Sequence, residues 1–261
     1  MIKWFYSHKQ SLKYIFGIVK NNNLKTINYI DESYVGLNKL TTPLRIFKPK
    51  KSRNTSFILF PGASPFAEEH PGMISLATTI MNLGFNVFIP RIPPLKALDL
   101  TIDNVKWFAK AYEQISIRTD VDKNNIAIVG ISFGGSILLK ATLDEKMKIN
   151  PPKSMLMYGS CYGIESGLNF LISGEISHYN KISHIKPNEW GLTVLFHNYL
   201  KFIDVGFNTS NIQKILAARV ADDLDQVEKL KNKLNNHDLI YIEDILNGKC
   251  SPEIEMHAKK I

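Results

Sequence analysis

Residues Ile126–Gly135 read IAIVGISFGG. Ile126–Val129 is an apolar run of buried-strand length, and a helical pattern runs from about Gly134 to Leu143. Between them Gly130-Ile131-Ser132-Phe133-Gly134 fits G-x-S-x-G in the strand–turn–helix setting that gives the motif meaning. There a serine sits on a sharp turn at the carboxyl end of a strand, with its Oγ standing clear of its own backbone. Gly130 and Gly134 are small because strand and helix pass close on either side. The helix points its N-terminus at the serine, so its unpaired amides and dipole favour developing negative charge. Ser132 is therefore the candidate nucleophile, and the Phe133 N–H is one oxyanion donor.

Working outward, Leu44–Phe47, Ser56–Phe60 (SFILF), Asn86–Pro90 (NVFIP) and Ser154–Tyr158 (SMLMY) read as further strands. Helical spacing over Gly72–Leu83 and Thr101–Ile117 separates them. Strand–helix–strand at these lengths predicts an α/β fold with a parallel sheet covered on both faces. SFILF runs into Pro61-Gly62-Ala63-Ser64, where Gly62 lets the backbone turn its amides inward. The Ala63 N–H is the candidate second oxyanion donor, and two such donors supply several kcal/mol to an acyl-transfer transition state. Beyond Gly163 the rhythm changes. Leu192–Ile203 and Ile215–Leu234 have helical spacing, Ile240–Ile242 fits strand or helix, and 165–261 reads as mostly helical with no secure strand.

The chain has 261 residues, 44% hydrophobic and 21% charged, which suits one large domain or one domain with an appendage. That balance excludes disordered, collagen-like and disulfide-scaffold classes. No apolar run reaches the roughly 18–20 residues of a membrane span. Two cysteines, Cys161 and Cys250, fit a reducing compartment, and a cytoplasmic location is expected. The net charge of +8 is concentrated in residues 1–53, which carry eleven basic and two acidic side chains. Only five of the 32 basic residues are arginine. With no helix-turn-helix, zinc-finger or RNA-motif pattern, nucleic acid is not an expected partner. Within Met1–Leu24, Phe5, Leu12, Ile15, Phe16 and Val19 have near-helical spacing among lysines, and Asn21–Asn23 reads as a break. A helix packed on the edge of the main domain is expected there, with peripheral contact to an anionic membrane surface as the alternative. The expected organisation is a basic helical extension (1–43), a core (44–164) and a helical cap-like region (165–261).

From about Arg45 to Gly167 the chain resembles the α/β-hydrolase superfamily, in particular bacterial serine hydrolases related to dienelactone hydrolases. The stretches PGASPFAEEHPGM, NVFIPRIP and DKNNIAIVGISFGGS carry the resemblance. Pro61 stands where relatives often have His, and Ser132 where dienelactone hydrolases proper have Cys. The resemblance implies a parallel-sheet core with a helical cap, Ser132 as nucleophile, and hydrolysis of carboxylic esters or related small acyl compounds.

A serine hydroxyl needs a base, because it is a poor nucleophile at neutral pH. The expected order is Ser, then Asp or Glu, then His. His257 has the right chain order but lies in the charged stretch Glu253–Ile261. His70 precedes Ser132, on a loop expected to leave the same end of the sheet. Glu165, just past SMLMY, is the candidate acid, while Asp222 and Asp223 read as a solvated helix face. His197 and His237 read as packing and turn residues. In the resembling fold two more strands lie beyond SMLMY, and here none is evident. The sheet is therefore expected to be incomplete with an open apolar edge, and the chain to stop before its Asp and His. The competing expectations are a complete protein that uses a rearranged base or a partner's residues, and a non-catalytic binding scaffold. No metal cluster or dinucleotide fingerprint is present, so no cofactor is implied.

Overall fold

Short apolar strands separated by helices build the first of two units, Met1–Tyr162 and Gly163–Ile261. The computed structural model describes residues 9–17, 28–178 and 181–261. In the first unit the elements run α1 (residues 9–17), β1 (Ile30–Val35), β2 (Thr41–Phe47), β3 (Ser56–Phe60), α2 (Pro71–Asn82), β4 (Asn86–Pro90), α3 (Pro93–Lys96) and α4 (Asn104–Ser116). They continue as β5 (Ile126–Ile131), α5 (Phe133–Ala141), α6 (Glu145–Ile149) and β6 (Ser154–Tyr158). The strands form one sheet in the order β1-β2-β4-β3-β5-β6. Neighbours from β4 through β6 are parallel, whereas β2 is antiparallel to both β1 and β4. This is an α/β core built on a mostly parallel sheet that, among the described residues, stops at β6.

Period-2 alternation assigns each strand residue to one face of the sheet. Ile58, Phe60, Phe88 and Ile128 meet Phe108, Tyr112, Ile137 and Leu138 of α4 and α5. Leu59, Val87, Ile89 and Val129 meet Met73, Ala77 and Ile80 of α2. Phe60 and Phe108 stack with ring centroids 4.6 Å apart. Each fully buried side chain of this size contributes about 1.5–3 kcal/mol, so these two layers hold the carboxyl ends of β3 and β5 in place. Of the predicted helix Met1–Leu24, residues 9–17 are helical, and the remainder, with the break at Asn21–Asn23, lies outside the described residues. Tyr14 packs against the α2 layer.

Four expectations are corrected. Residues 30–35, placed in a helical extension, form the outermost strand. Tyr34 is buried and its hydroxyl donates to the Arg91 carbonyl at 2.6 Å, while Asp31 pairs with Arg45 across the β1–β2 register. The acidic residue that hid the alternation thus has a partner on the neighbouring strand. The second unit contains a hairpin, β7 (Glu175–His178) with β8 (Lys181–His184), where no strand was expected. Its helices are α7 (Ile164–Ser173), α8 (Glu189–Tyr199), α9 (Ser210–Val220), α10 (Leu224–Lys231), α11 (Asn236–Leu246) and α12 (Pro252–Ala258). The single helix predicted over Ile215–Leu234 is thus two helices. Asp222 turns the chain with φ 60°, and the Asp223 carboxylate accepts the Gln226 N–H to cap α10. The stretch 253–261, read as a charged tail, carries α12, which buries Ile254, His257 and Ala258 in a core with Phe196, Ile215, Tyr241 and Ile242.

Among the described residues no strand pairs with the far edge of β6. All five of its residues are exposed, with Leu156 at 58% and Tyr158 at 71%. An uncharged apolar edge strand is a template for pairing between molecules. Among the described residues no helix is long and apolar enough to cross a membrane. Leu156→Lys places a charge on this edge at little cost in burial. Light scattering is expected to show less concentration-dependent association than wild type, with stability in urea within about 0.5 kcal/mol. Unchanged association would show that copies meet elsewhere.

Candidate active site

β5 delivers Ser132 to the carboxyl edge of the sheet, and α5 begins at the next residue. Ser132 has φ 52° and ψ −133°, a conformation that L residues rarely adopt. Its N–H donates to the Tyr158 carbonyl at 2.8 Å, and its carbonyl accepts the Gly135 N–H at 2.9 Å. The turn throws the side chain outward, and Ser132 is exposed. Among the described residues its hydroxyl has no hydrogen-bond partner.

The glycines of the motif are required by close approach. A methyl on Gly130 would come 2.5 Å from the Gly135 Cα, and one on Gly134 would overlap the Pro61 carbonyl oxygen. The loop after β3 is therefore pressed onto the start of α5. At Gly62 a methyl would lie 3.1 Å from the Ser132 Cβ. Phe133 and Ala63, the sequence-predicted oxyanion donors, are both half-buried against the α4–α5 layer. Phe133 opens α5, where helix geometry leaves the first amides without intrahelical acceptors.

The far end of that loop is tied to the end of β4. Glu68 is 2% exposed and accepts the Arg91 Nε–H at 2.7 Å, while Lys96 reaches Glu69 at 2.5 Å. The Lys96 hydrogen bond, with Arg91 nearby, holds the Glu69 carboxyl below its ordinary range. Buried charges of this kind are stable only when paired, so the Glu68–Arg91 pair fixes the far end of the Ala63 loop.

The acid and base candidates each have surroundings of their own. His70 caps α2, and its Nδ1 accepts the Gly72 N–H at 3.1 Å. An amide can only donate, so the neutral ring carries its proton on Nε2, leaving no second lone pair for a substrate proton. Burial pushes the His70 pKa down and keeps the ring neutral. His257 belongs to the second unit, where it is 1% exposed and its Nδ1 lies 2.9 Å from the Tyr241 hydroxyl. Burial lowers its pKa as well. It is a core histidine of its own unit. Glu165 is exposed in the first turn of α7. His197 is half-buried in α8, and burial lowers its pKa. His237 bridges Asp238 at 3.2 Å and Glu253 at 3.1 Å, and those hydrogen bonds raise its pKa. Among the described residues no group of three His, Cys, Asp or Glu suits a metal ion.

Sequence reasoning missed the residues after β6. Gly159 turns the chain with φ 61°, and Ser160 donates to the Ser132 carbonyl at 2.8 Å. The available signal was the Gly-Ser pair directly after SMLMY, a turn signature whose partner 28 residues away could not be read.

No family model matches the chain, and no curated protein matches it. Solved structures similar to it include DcsB in complex with its substrate analogue, at 16% identity and TM-score 0.44, covering 70% of this chain and 59% of that one. An esterase from Pyrobaculum calidifontis matches at 18% identity and TM-score 0.37, over 55% of this chain and 47% of that one. A dienelactone hydrolase-like promiscuous phosphotriesterase from metagenomic libraries matches at 12% identity and TM-score 0.41, over 51% of this chain and 59% of that one. The match thus spans about half to three-fifths of the length of these proteins.

Gly134→Ala forces the Pro61 carbonyl away from α5. Urea denaturation is expected to show a loss of about 1–3 kcal/mol, the usual cost of overpacking. Wild-type stability in this variant would mean that the loop stands clear of the helix.

Proposed function

We propose that the first unit is a serine hydrolase acting on carboxylic esters or related small acyl compounds. The observation that carries this reading is the outward turn of Ser132 at the junction of β5 and α5, directly beneath the loop of Gly62 and Ala63. The Ser132 Oγ would attack the substrate carbonyl carbon, forming the C–O bond as its proton passes to a base. The tetrahedral oxyanion would then be held by the Phe133 and Ala63 N–H groups. Collapse would expel the alcohol, which takes up the proton, and water would release the acyl group by the same route in reverse order.

The relay behind Ser132 is not assigned to a residue. A general base contributes about 10²–10⁴-fold, while an oxyanion hole and substrate binding without the relay still give roughly 10³–10⁴-fold over water. The reading therefore implies slow turnover, most visible on esters whose leaving group departs without protonation. The open β6 edge supports a core in which the acid and base arrive with further strands. A second reading, a binding scaffold that has lost catalysis, is favoured by the unpartnered Ser132 hydroxyl.

Hydrolysis of p-nitrophenyl acetate, followed at room temperature and corrected for the buffer rate, separates the two. Wild type is expected to turn over slowly, and Ser132→Ala to fall to background with its thermal unfolding unchanged. Turnover retained in Ser132→Ala would remove Ser132 from the mechanism, and background rates in wild type would favour the scaffold.

A further inference from the structure

The backbone of Ser132 is gripped from outside its own strand and helix by the turn that follows β6. Tyr158, the last residue of β6, supplies the carbonyl that accepts the Ser132 N–H at 2.8 Å. Two residues on, the Ser160 hydroxyl donates to the Ser132 carbonyl at 2.8 Å. The turn is itself stitched to α5, because the Cys161 N–H donates to the Ser136 Oγ at 3.2 Å and the Ser136 hydroxyl donates back to the Cys161 carbonyl at 2.7 Å. Both polar groups of the Ser132 peptide backbone therefore end on the segment Tyr158–Ser160.

Close packing leads to the same place. A methyl on Gly135 would overlap the Ser160 Oγ. The third glycine of Gly130–Gly135 thus has a use that G-x-S-x-G alone does not require: it admits the Ser160 hydroxyl to the start of α5. A positive-φ serine persists only where surrounding structure over-determines it. Ser160 is the one side chain that hydrogen-bonds the Ser132 backbone among the described residues.

We infer that Ser160 is a positioning residue for the nucleophile: its hydroxyl, bound to the Ser132 carbonyl, holds the turn that aims the Ser132 Oγ at the substrate. The inference rests on the reading of Ser132 as nucleophile for its catalytic consequence, but not for its structural content. In this role Ser160 touches neither substrate nor oxyanion. Losing it should lower kcat and leave KM in place, because binding surfaces are unchanged while the attack geometry relaxes.

The test uses the full chain as wild type, Ser160→Ala and Ser160→Thr, the last keeping a hydroxyl. Two readouts are taken: p-nitrophenyl acetate kinetics, and hydrogen exchange of the Ser132 and Gly135 amides by NMR. Ser160→Ala is expected to lower kcat about tenfold, the effect of one lost hydrogen bond, with KM within about twofold. Amide exchange at Ser132 should accelerate by a similar factor, and Ser160→Thr should restore both. Unchanged kcat and unchanged exchange in Ser160→Ala overturn the inference, as does a loss that Ser160→Thr fails to rescue. Should wild type show no turnover, the nucleophile reading fails and exchange alone decides. Accelerated exchange then upholds Ser160 as the tether of the Ser132 turn, and unchanged exchange rejects it.

Discussion

Everything at the candidate site depends on the backbone of one residue, Ser132, being held at φ 52° and ψ −133°. A non-glycine residue in such a region costs about 1–3 kcal/mol, which the surroundings must offset. They do so with hydrogen bonds to the Tyr158 carbonyl, the Gly135 amide and the Ser160 hydroxyl. Glycines then let β5, α5 and the Pro61–Gly62 loop approach one another closely enough for those bonds to form. The strain has a geometric consequence. It leaves the Ser132 side chain exposed at the start of α5.

β6 has two roles that pull in different directions. On one side it pairs with β5 in register from Ala127↔Ser154 to Ile131↔Tyr158, and its last carbonyl grips Ser132. On the other side its edge is open and its apolar side chains are exposed. In a sheet with further strands this segment would be buried on both faces, as continuous apolar runs such as SMLMY are. The Ser132 turn is therefore anchored to an exposed edge strand of the sheet. Whatever stiffens or loosens β6 acts directly on Ser132.

Much of this was legible in the residues. SFILF, NVFIP and IAIV are short, uncharged and bounded by turn residues, so their strands and the parallel order followed from length and punctuation. The serine turn was legible because its close packing demands small residues at fixed offsets from Ser132. What was hidden depended on partners distant in sequence. The strand at Ile30–Val35 carries Asp31 and Glu32, whose charges mask the alternation until Arg45 and Arg118 supply counter-charges. The break at Asp222 interrupts no hydrophobic period, so Ile215–Leu234 read as one helix. His257 looked like a tail residue because its burial is made by Phe207 and Tyr241, which lie on earlier segments of the chain. The Glu68–Arg91 clamp and the Ser160 tether join segments 23 and 28 residues apart, and periodicity carries no information on such pairs.

Reaction of the full chain with a fluorophosphonate, followed by tryptic peptide mapping in a mass spectrometer, tests most directly whether the hydroxyl presented by this turn is nucleophilic. A single phosphonyl adduct is expected on Ser132, within the tryptic peptide Asn124–Lys140, and it should be absent when the chain is denatured in urea before the reagent is added. No adduct on Ser132 in the folded chain, or labelling spread equally over other serines, would contradict the nucleophile assignment.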